Sequence, residues 1–196
     1  MAAPPSDAIV FFGATGDLAY KQIFPSLLGL VRDEGLNVPI IVVAKAGWSL
    51  YQLKARATDS LRQLDYVDQA AQQRMLDLLR YVDGDYNDPA TFAALHGQLG
   101  KAQRPLHYLA VPPSLFAIAA KELARSGCAK NARLVIEKPF GHDRETARTF
   151  SRLLGTFFTE ENIFRIDHYL GKEPVQNIYI RDSPIRCSSR CGTATT

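Results

Sequence analysis

Residues 10–25 read VFFGATGDLAYKQIFP. An apolar run, Ala8–Phe12 (AIVFF), ends directly at Gly13. Gly16 follows three residues later, and a helical pattern then runs to about Glu34. Apolar residues without polar alternation are the pattern of a strand buried on both faces, which is how strands of parallel sheets read. Such a sheet needs a tight turn from strand into helix, and a dinucleotide pyrophosphate needs close approach to backbone N–H groups at a helix start. Glycine serves both demands because it has no Cβ. The spacing is G-x-x-G rather than the full G-x-G-x-x-G, so a plain strand-to-helix turn and a phosphate-binding turn both stay open on this stretch alone.

The same alternation of strand and helix recurs along the chain. PIIVVA at 39–44 is a second continuous apolar run. Helical patterns are predicted over 50–64 and 69–79, then a weak strand at 80–82 and a helix over 90–99. A strand is predicted at 106–111, stopped by Pro112 and Pro113, with Ser114 as the expected cap of a helix to Ser126. Further strands are predicted at 134–136 and 163–166, with a helix over 144–158 between them. Strand–helix repetition with buried strands predicts an α/β fold, a doubly wound and mostly parallel Rossmann-like sheet.

Composition narrows the classes of function. The chain has 196 residues, is 46% hydrophobic and carries a formal charge of +3, so it is expected to form one ordinary globular domain with a fragment of another. Three arginines (Arg181, Arg186, Arg190) against Asp182 place +2 of that charge in the last sixteen residues. The nearly neutral remainder argues against a nucleic-acid surface. The first twelve residues have no positive segment and only five consecutive apolar residues, so neither a secretory signal nor a membrane span is expected. Of three cysteines, Cys187 and Cys191 lie in the tail and Cys128 stands alone. No metal spacing or disulfide framework is present, and a reducing cytoplasm is the expected compartment.

Three further stretches carry chemistry. The second strand ends VVAKAGWS, with Lys45 and no Asp or Glu close by in sequence. A basic group at this place neutralises a 2′-phosphate, whereas an acidic one accepts hydrogen bonds from ribose hydroxyls. Taken with the glycine turn, Lys45 favours NADP over NAD; by itself it also fits a solvated surface lysine. In LVIEKPFGHD, Lys138 follows a buried strand and precedes Pro139, which puts it at the carboxyl edge of the sheet, where open α/β sheets bind ligands. An ordinary Lys-Pro turn is the plainer alternative. In RIDHYLGKEP, His168, Tyr169 and Lys172 can together satisfy phosphate oxygens through charge-assisted bonds. Asp167 would repel phosphate and is better suited to orienting a histidine base. An amphipathic surface segment is the alternative there. His96, His107 and His142 lack such company and are expected to be structural or surface residues.

Together, GATGDLA, HYLAVPPSLF, EKPFG and RIDHYLGKE resemble the glucose-6-phosphate dehydrogenase family, over about Asp7 to Ile178. The resemblance implies oxidation of glucose 6-phosphate to a lactone with hydride transfer to NADP, the oxidative entry to the pentose phosphate pathway. It assigns Gly13, Thr15, Gly16, Asp17 and Leu18 to the coenzyme turn and Lys45 to the 2′-phosphate. Lys138 would meet the reacting end of the sugar, with Pro139 between sugar and coenzyme. His168, Tyr169 and Lys172 would hold the sugar phosphate, and Asp167 would orient a downstream histidine base that this chain does not contain. Two departures stand out. Lys45 occupies a place where the family usually has arginine, and lysine lacks the guanidinium fork; Gln22 stands where a second lysine is common. No metal is implied, and the intact parent is expected to be a homo-oligomer. A sugar oxidoreductase of the glucose–fructose oxidoreductase type, or a non-catalytic nucleotide-binding module, are the competing classes.

The expected organisation is a flexible N-terminus (1–6), an NADP-binding domain (7–166), a stub of a substrate domain (167–180) and a tail (181–196) that is not native. Back-translated and read from one nucleotide earlier, the tail can be written as TRFANPLFEPLWNRDN, which resembles the family's continuation. A single-nucleotide frameshift between about Asn177 and Arg181 is therefore expected, and the isolated chain is expected to catalyse poorly or not at all.

Overall fold

The computed structural model describes residues 4–13, 15–138 and 144–166. Its centre is β1 (Ala8–Phe12), in which all five residues are buried. Around it lie β2 (Ile40–Ala44), β3 (Leu79–Asp83), β4 (Pro105–Leu109), β5 (Arg133–Glu137) and β6 (Ile163–Ile166), in the sheet order β3-β2-β1-β4-β5-β6. Every pairing is parallel. The expected doubly wound, Rossmann-like sheet is the one observed, and the order reverses beside β1, between β2 and β4.

Alternation along the strands divides the core in two. Ile9, Phe11, Ile40, Val42, Tyr108 and Val135 point to one face, which α1 (Phe24–Asp33), α2 (Leu50–Leu61) and α3 (Gln69–Leu78) cover. Val10, Phe12, Ile41, Val43, Leu109 and Ile136 point to the other, covered by α4 (Pro89–Leu99), α5 (Pro113–Arg125) and α6 (Arg144–Gly155). Successive side chains of a strand project to opposite faces, so a strand covered on both sides is predominantly apolar, with the hydrogen-bonded His107 of β4 as an exception. The edge strand β3 is only half covered, with Arg80 and Asp83 exposed; this is why its sequence signal is weak.

Helix starts are set locally. Ser49 and Gln52 form a reciprocal capping box on α2, and Asp68 and Asp88 cap α3 and α4. Ser114 does not cap α5, contrary to expectation. The helix begins one residue earlier, at Pro113, and Leu115 N–H donates to the Pro112 carbonyl at 2.9 Å. Proline at the first helical position has no N–H to satisfy and already has the helical φ.

The helix after the first turn contains a π-helical segment, Ala19–Ile23, which runs directly into α1. Phe24 N–H donates to the Ala19 carbonyl, five residues back. In that register the Tyr20 carbonyl would await the N–H of residue 25, which is proline and has none. Two side chains take its place: the Ser60 hydroxyl of α2 donates to the Tyr20 carbonyl, and Gln63 Nε2, just beyond α2, donates to it at 3.2 Å. The bulge therefore fastens α2 to the segment that follows the glycine turn.

Candidate coenzyme-binding site

The turn after β1 lies at the carboxyl edge of the sheet, where its strand order reverses. Gly13 has φ +85°, and a Cβ built there would stand 2.1 Å from the Ala110 carbonyl oxygen, which is backbone and cannot swing aside. Only glycine fits this conformation and this approach. Gly13 N–H is shared between the Val43 carbonyl (3.0 Å) and the Tyr86 hydroxyl (2.9 Å), and Tyr86 in turn donates to Val43 at 3.0 Å. Burial pushes the Tyr86 phenol up to about 12, so it stays a neutral donor. Gly16 N–H then closes the turn on the Gly13 carbonyl at 3.1 Å.

Of the other residues expected in the turn, Thr15 gives its carbonyl to Arg56 Nη2 at 3.2 Å. Asp17 opens the helix and pairs with Lys21 at 3.3 Å, both side chains being well exposed. Leu18 packs against the core cluster beneath the turn. The structure thus brings Gly13, Thr15, Gly16, Asp17 and Leu18 to one strand-to-helix connection.

Lys45 follows β2 at the same edge, and its surroundings differ from the sequence expectation. Register pairs Ala44 with Asp83 at the end of β3, so carboxylates from the neighbouring strand come alongside. Asp83 Oδ1 accepts from the Ala46 and Gly47 N–H groups (3.0 and 2.9 Å) and from the Tyr81 hydroxyl (2.8 Å). These bonds, that of Ala46 first, hold its pKa below the usual carboxylate value. Asp85 Oδ2 accepts from Lys45 Nζ at 2.7 Å, and the ammonium beside it holds the Asp85 carboxyl well below the ordinary range. Lys45 is raised by the same pair. With 71% of its side chain exposed, the pair is a surface contact of small net stability, and the ammonium is accessible to an incoming anion.

Lys138 follows β5 directly, on the carboxyl edge as expected. The preceding Glu137 accepts a short hydrogen bond from the buried Tyr108 hydroxyl, whose pKa is strongly raised by burial and by that carboxylate. The strand end that delivers Lys138 is thereby pinned from beneath. Pro139, Asp167, His168, Tyr169 and Lys172 lie outside the described residues, as do His142 and the tail. Cys128 is buried. Fully buried His107 bonds the Cys128 carbonyl through Nε2 at 2.8 Å. Among the described residues, no cluster of His, Cys, Asp or Glu could hold a metal, and no helix is long and apolar enough to cross a membrane.

Arg56, Tyr86, Tyr108 and the Asp83–Asp85 pair were not marked as site residues by sequence reading. The two aspartates carried a usable signal, since they end a predicted strand; Arg56 and both tyrosines sit in no local pattern that separates them from ordinary core or surface residues.

A glycine turn at the switch point, a helix start behind it and a cation after β2 together define a dinucleotide-binding domain of the doubly wound class. The open side of the turn at Gly16, where a Cβ would meet only the Gly13 carbonyl oxygen at 3.3 Å, and the cationic end of β2 fit such a coenzyme. The family model for the glucose-6-phosphate dehydrogenase NAD binding domain matches residues 10–177, and the chain belongs to the glucose-6-phosphate dehydrogenase family. It is 40% identical over 177 residues to glucose-6-phosphate 1-dehydrogenase 1 of Mycobacterium tuberculosis, covering 90% of this chain and 38% of that protein. The crystal structure of the Mycobacterium avium enzyme superposes with a TM-score of 0.81 at 42% identity, over 88% of this chain and 38% of that one. A glucose-6-phosphate dehydrogenase in complex with its substrate glucose-6-phosphate superposes at 0.77 with 34% identity, over 89% of this chain and 40% of that one. The chain thus spans about two fifths of the length of these relatives.

Proposed function

We propose that this chain is the coenzyme-binding part of an NADP-dependent glucose-6-phosphate dehydrogenase. The observation that carries the reading is the family match across residues 10–177. In the intact enzyme, NADP bound at this edge would accept hydride from the anomeric carbon of glucose 6-phosphate. The turn at Gly13–Leu18 would receive the pyrophosphate, with Gly16 letting the backbone approach it and Gly13 letting the turn pack against Ala110. Lys45 would turn from Asp85 to the 2′-phosphate. Lys138 would lie against the reacting end of the sugar, beside Pro139. By resemblance, His168, Tyr169 and Lys172 would hold the sugar phosphate, and Asp167 would orient the histidine base. The parent would act as a homo-oligomer in the cytoplasm, in the pentose phosphate pathway, without nucleic-acid or membrane partners. The glucose–fructose oxidoreductase alternative has no support in the family match.

Two experiments test this. Titration of the purified chain with NADP+ and NAD+, with and without glucose 6-phosphate, should give binding with preference for NADP+ and negligible turnover. Failure to bind either dinucleotide would overturn the coenzyme role, and appreciable turnover would overturn the assignment of the base to a further part of the parent. For the tail, resequencing the source DNA across the codons for residues 176–184 should reveal one extra or missing base. Confirmation of the present frame would refute the frameshift.

A further inference from the structure

We infer that Arg56 is a positioning residue for the coenzyme turn, acting through the Thr15 carbonyl and joining that turn to the loop after β2. The inference rests on the coenzyme-binding role proposed above. Arg56 stands on α2 beside Leu53 and Ala57, which anchor the helix in the core. Its guanidinium lies 4.7 Å from the centroid of the Tyr20 ring, in the π-helical segment after the turn. It lies 5.7 Å from the Trp48 ring, three residues beyond Lys45. Both rings attract the cation through their faces. Held between them, Nη2 donates to the Thr15 carbonyl at 3.2 Å.

That carbonyl and the Gly16 N–H belong to the same peptide group, which is planar and rigid. Gly16 N–H is bonded to the Gly13 carbonyl, so the plane is gripped at both ends: by the turn itself on one side and by Arg56 on the other. No carboxylate among the described residues pairs with Arg56. The nearest candidate on its own helix, Asp59, is taken by the Tyr20 hydroxyl at 2.7 Å and by Arg62 at 3.1 Å. Arg56 Nε is buried without a hydrogen-bond partner among the described residues, an arrangement that costs stability. A guanidinium kept un-neutralised behind a turn suited to phosphate does two things. It fixes the peptide plane, and it adds positive potential where a pyrophosphate would sit.

The test uses the whole 196-residue chain. Trp48 is its only tryptophan, so emission from that ring reports directly on the stack. NADP+ and NAD+ titrations, followed by Trp48 emission and by calorimetry, are run on the wild type, Arg56→Met, Arg56→Lys and Lys45→Ala, with thermal unfolding measured alongside. Arg56→Met should weaken both dinucleotides by about tenfold, the loss of one charge-assisted hydrogen bond, because both share the pyrophosphate. Arg56→Lys keeps a cation against Tyr20 but loses the fork that spans stack and carbonyl. It should unfold at the wild-type temperature and still bind about as weakly as Arg56→Met. Lys45→Ala should weaken NADP+ alone. If the wild type binds and both Arg56 variants bind within about twofold of it, the positioning role is overturned while the coenzyme role stands. If the wild type binds neither dinucleotide, both fall. If both Arg56 variants fail to fold, Arg56 is a structural residue and the inference is wrong.

Discussion

His107 makes the stability of this domain depend on pH between about 4 and 6.5. The ring is fully buried on β4, packed 6.2 Å from the Phe12 ring, with Nε2 against the Cys128 carbonyl and Nδ1 without a partner. A carbonyl only accepts, so Nε2 carries the proton and Nδ1 is bare. Charging the ring would place a second N–H in an apolar layer with nothing to receive it. Burial accordingly pushes the pKa down to about 4, against a smaller opposing pull from the Cys128 carbonyl. The unfolded chain binds a proton near pH 6.5 and the folded chain does not until about 4. Between those values the unfolded state holds more protons, so stability falls as pH falls. Each pH unit corresponds to about 1.4 kcal/mol, and the whole gap amounts to about 3 kcal/mol lost between pH 6.5 and 4. Above pH 6.5 both states are neutral and the effect vanishes.

The assay is urea unfolding at pH 4.5, 5.5, 6.5 and 7.5 for the wild type and for His107→Gln, which keeps a donor for the Cys128 carbonyl but cannot titrate. The variant should be less stable at pH 7.5, because glutamine leaves its own oxygen unsatisfied in the core. The difference should narrow steadily on acidification. Carboxylates such as Asp83, whose pKa is lowered in the folded state, lose their contribution in both proteins and cancel in the comparison. Parallel curves, with a constant gap at every pH, would refute the account of a buried neutral imidazole.

Three other outcomes follow from the geometry of the site. Gly13→Ala should cost about 3 kcal/mol in denaturant unfolding, from a strained φ and a backbone clash that no rotamer relieves; a cost under 1 kcal/mol would mean that the turn can relax. Ser60→Ala should cost about 1 kcal/mol by the same measurement, since it leaves the Tyr20 carbonyl to Gln63 alone; an unchanged midpoint would remove the claim that α2 is fastened through the π-helical segment. Asp85→Asn should raise NADP+ affinity about threefold and leave NAD+ unchanged, because it frees Lys45 from an exposed ion pair; equal changes for both would show that Lys45 does not meet the 2′-phosphate.

How much of this was legible in the sequence depended on how local each cause was. Buried strands such as β1 and β2 declare themselves, because both of their faces are covered and all five residues of each are apolar. The edge strand β3 does not, since half its residues face water. Ser114 misled because a serine before a helical run is usually a cap; here the two prolines before it had already started the helix. The glycine turn was visible as glycines, but what holds it was not. Ala110 forbids a Cβ at Gly13 from 97 positions away in number, and Tyr86 comes from beyond β3. Lys45 looked free of acidic neighbours because parallel pairing, not chain order, brings Asp83 and Asp85 to it.

These distant contacts give a short motif the fixed shape that a binding turn would need. G-x-x-G supplies freedom, and freedom by itself is a loose loop. The remaining shape comes from groups that meet only in the folded sheet: Tyr86 and Val43 on the Gly13 N–H, Ala110 pressed against its Cα, and Arg56 on the Thr15 carbonyl. Each acts on the backbone rather than on a ligand, so each lowers the ordering that binding would otherwise require. The second half of the site follows the opposite logic. Lys45 is exposed and already engaged by a carboxylate, so an incoming phosphate would gain only the difference between two salt contacts. On the reading proposed above, such a domain would bind the part common to both dinucleotides through rigidity and would separate NADP from NAD by a modest electrostatic margin. Asp85, through its 2.7 Å pair with Lys45, would then set the size of that margin together with Lys45.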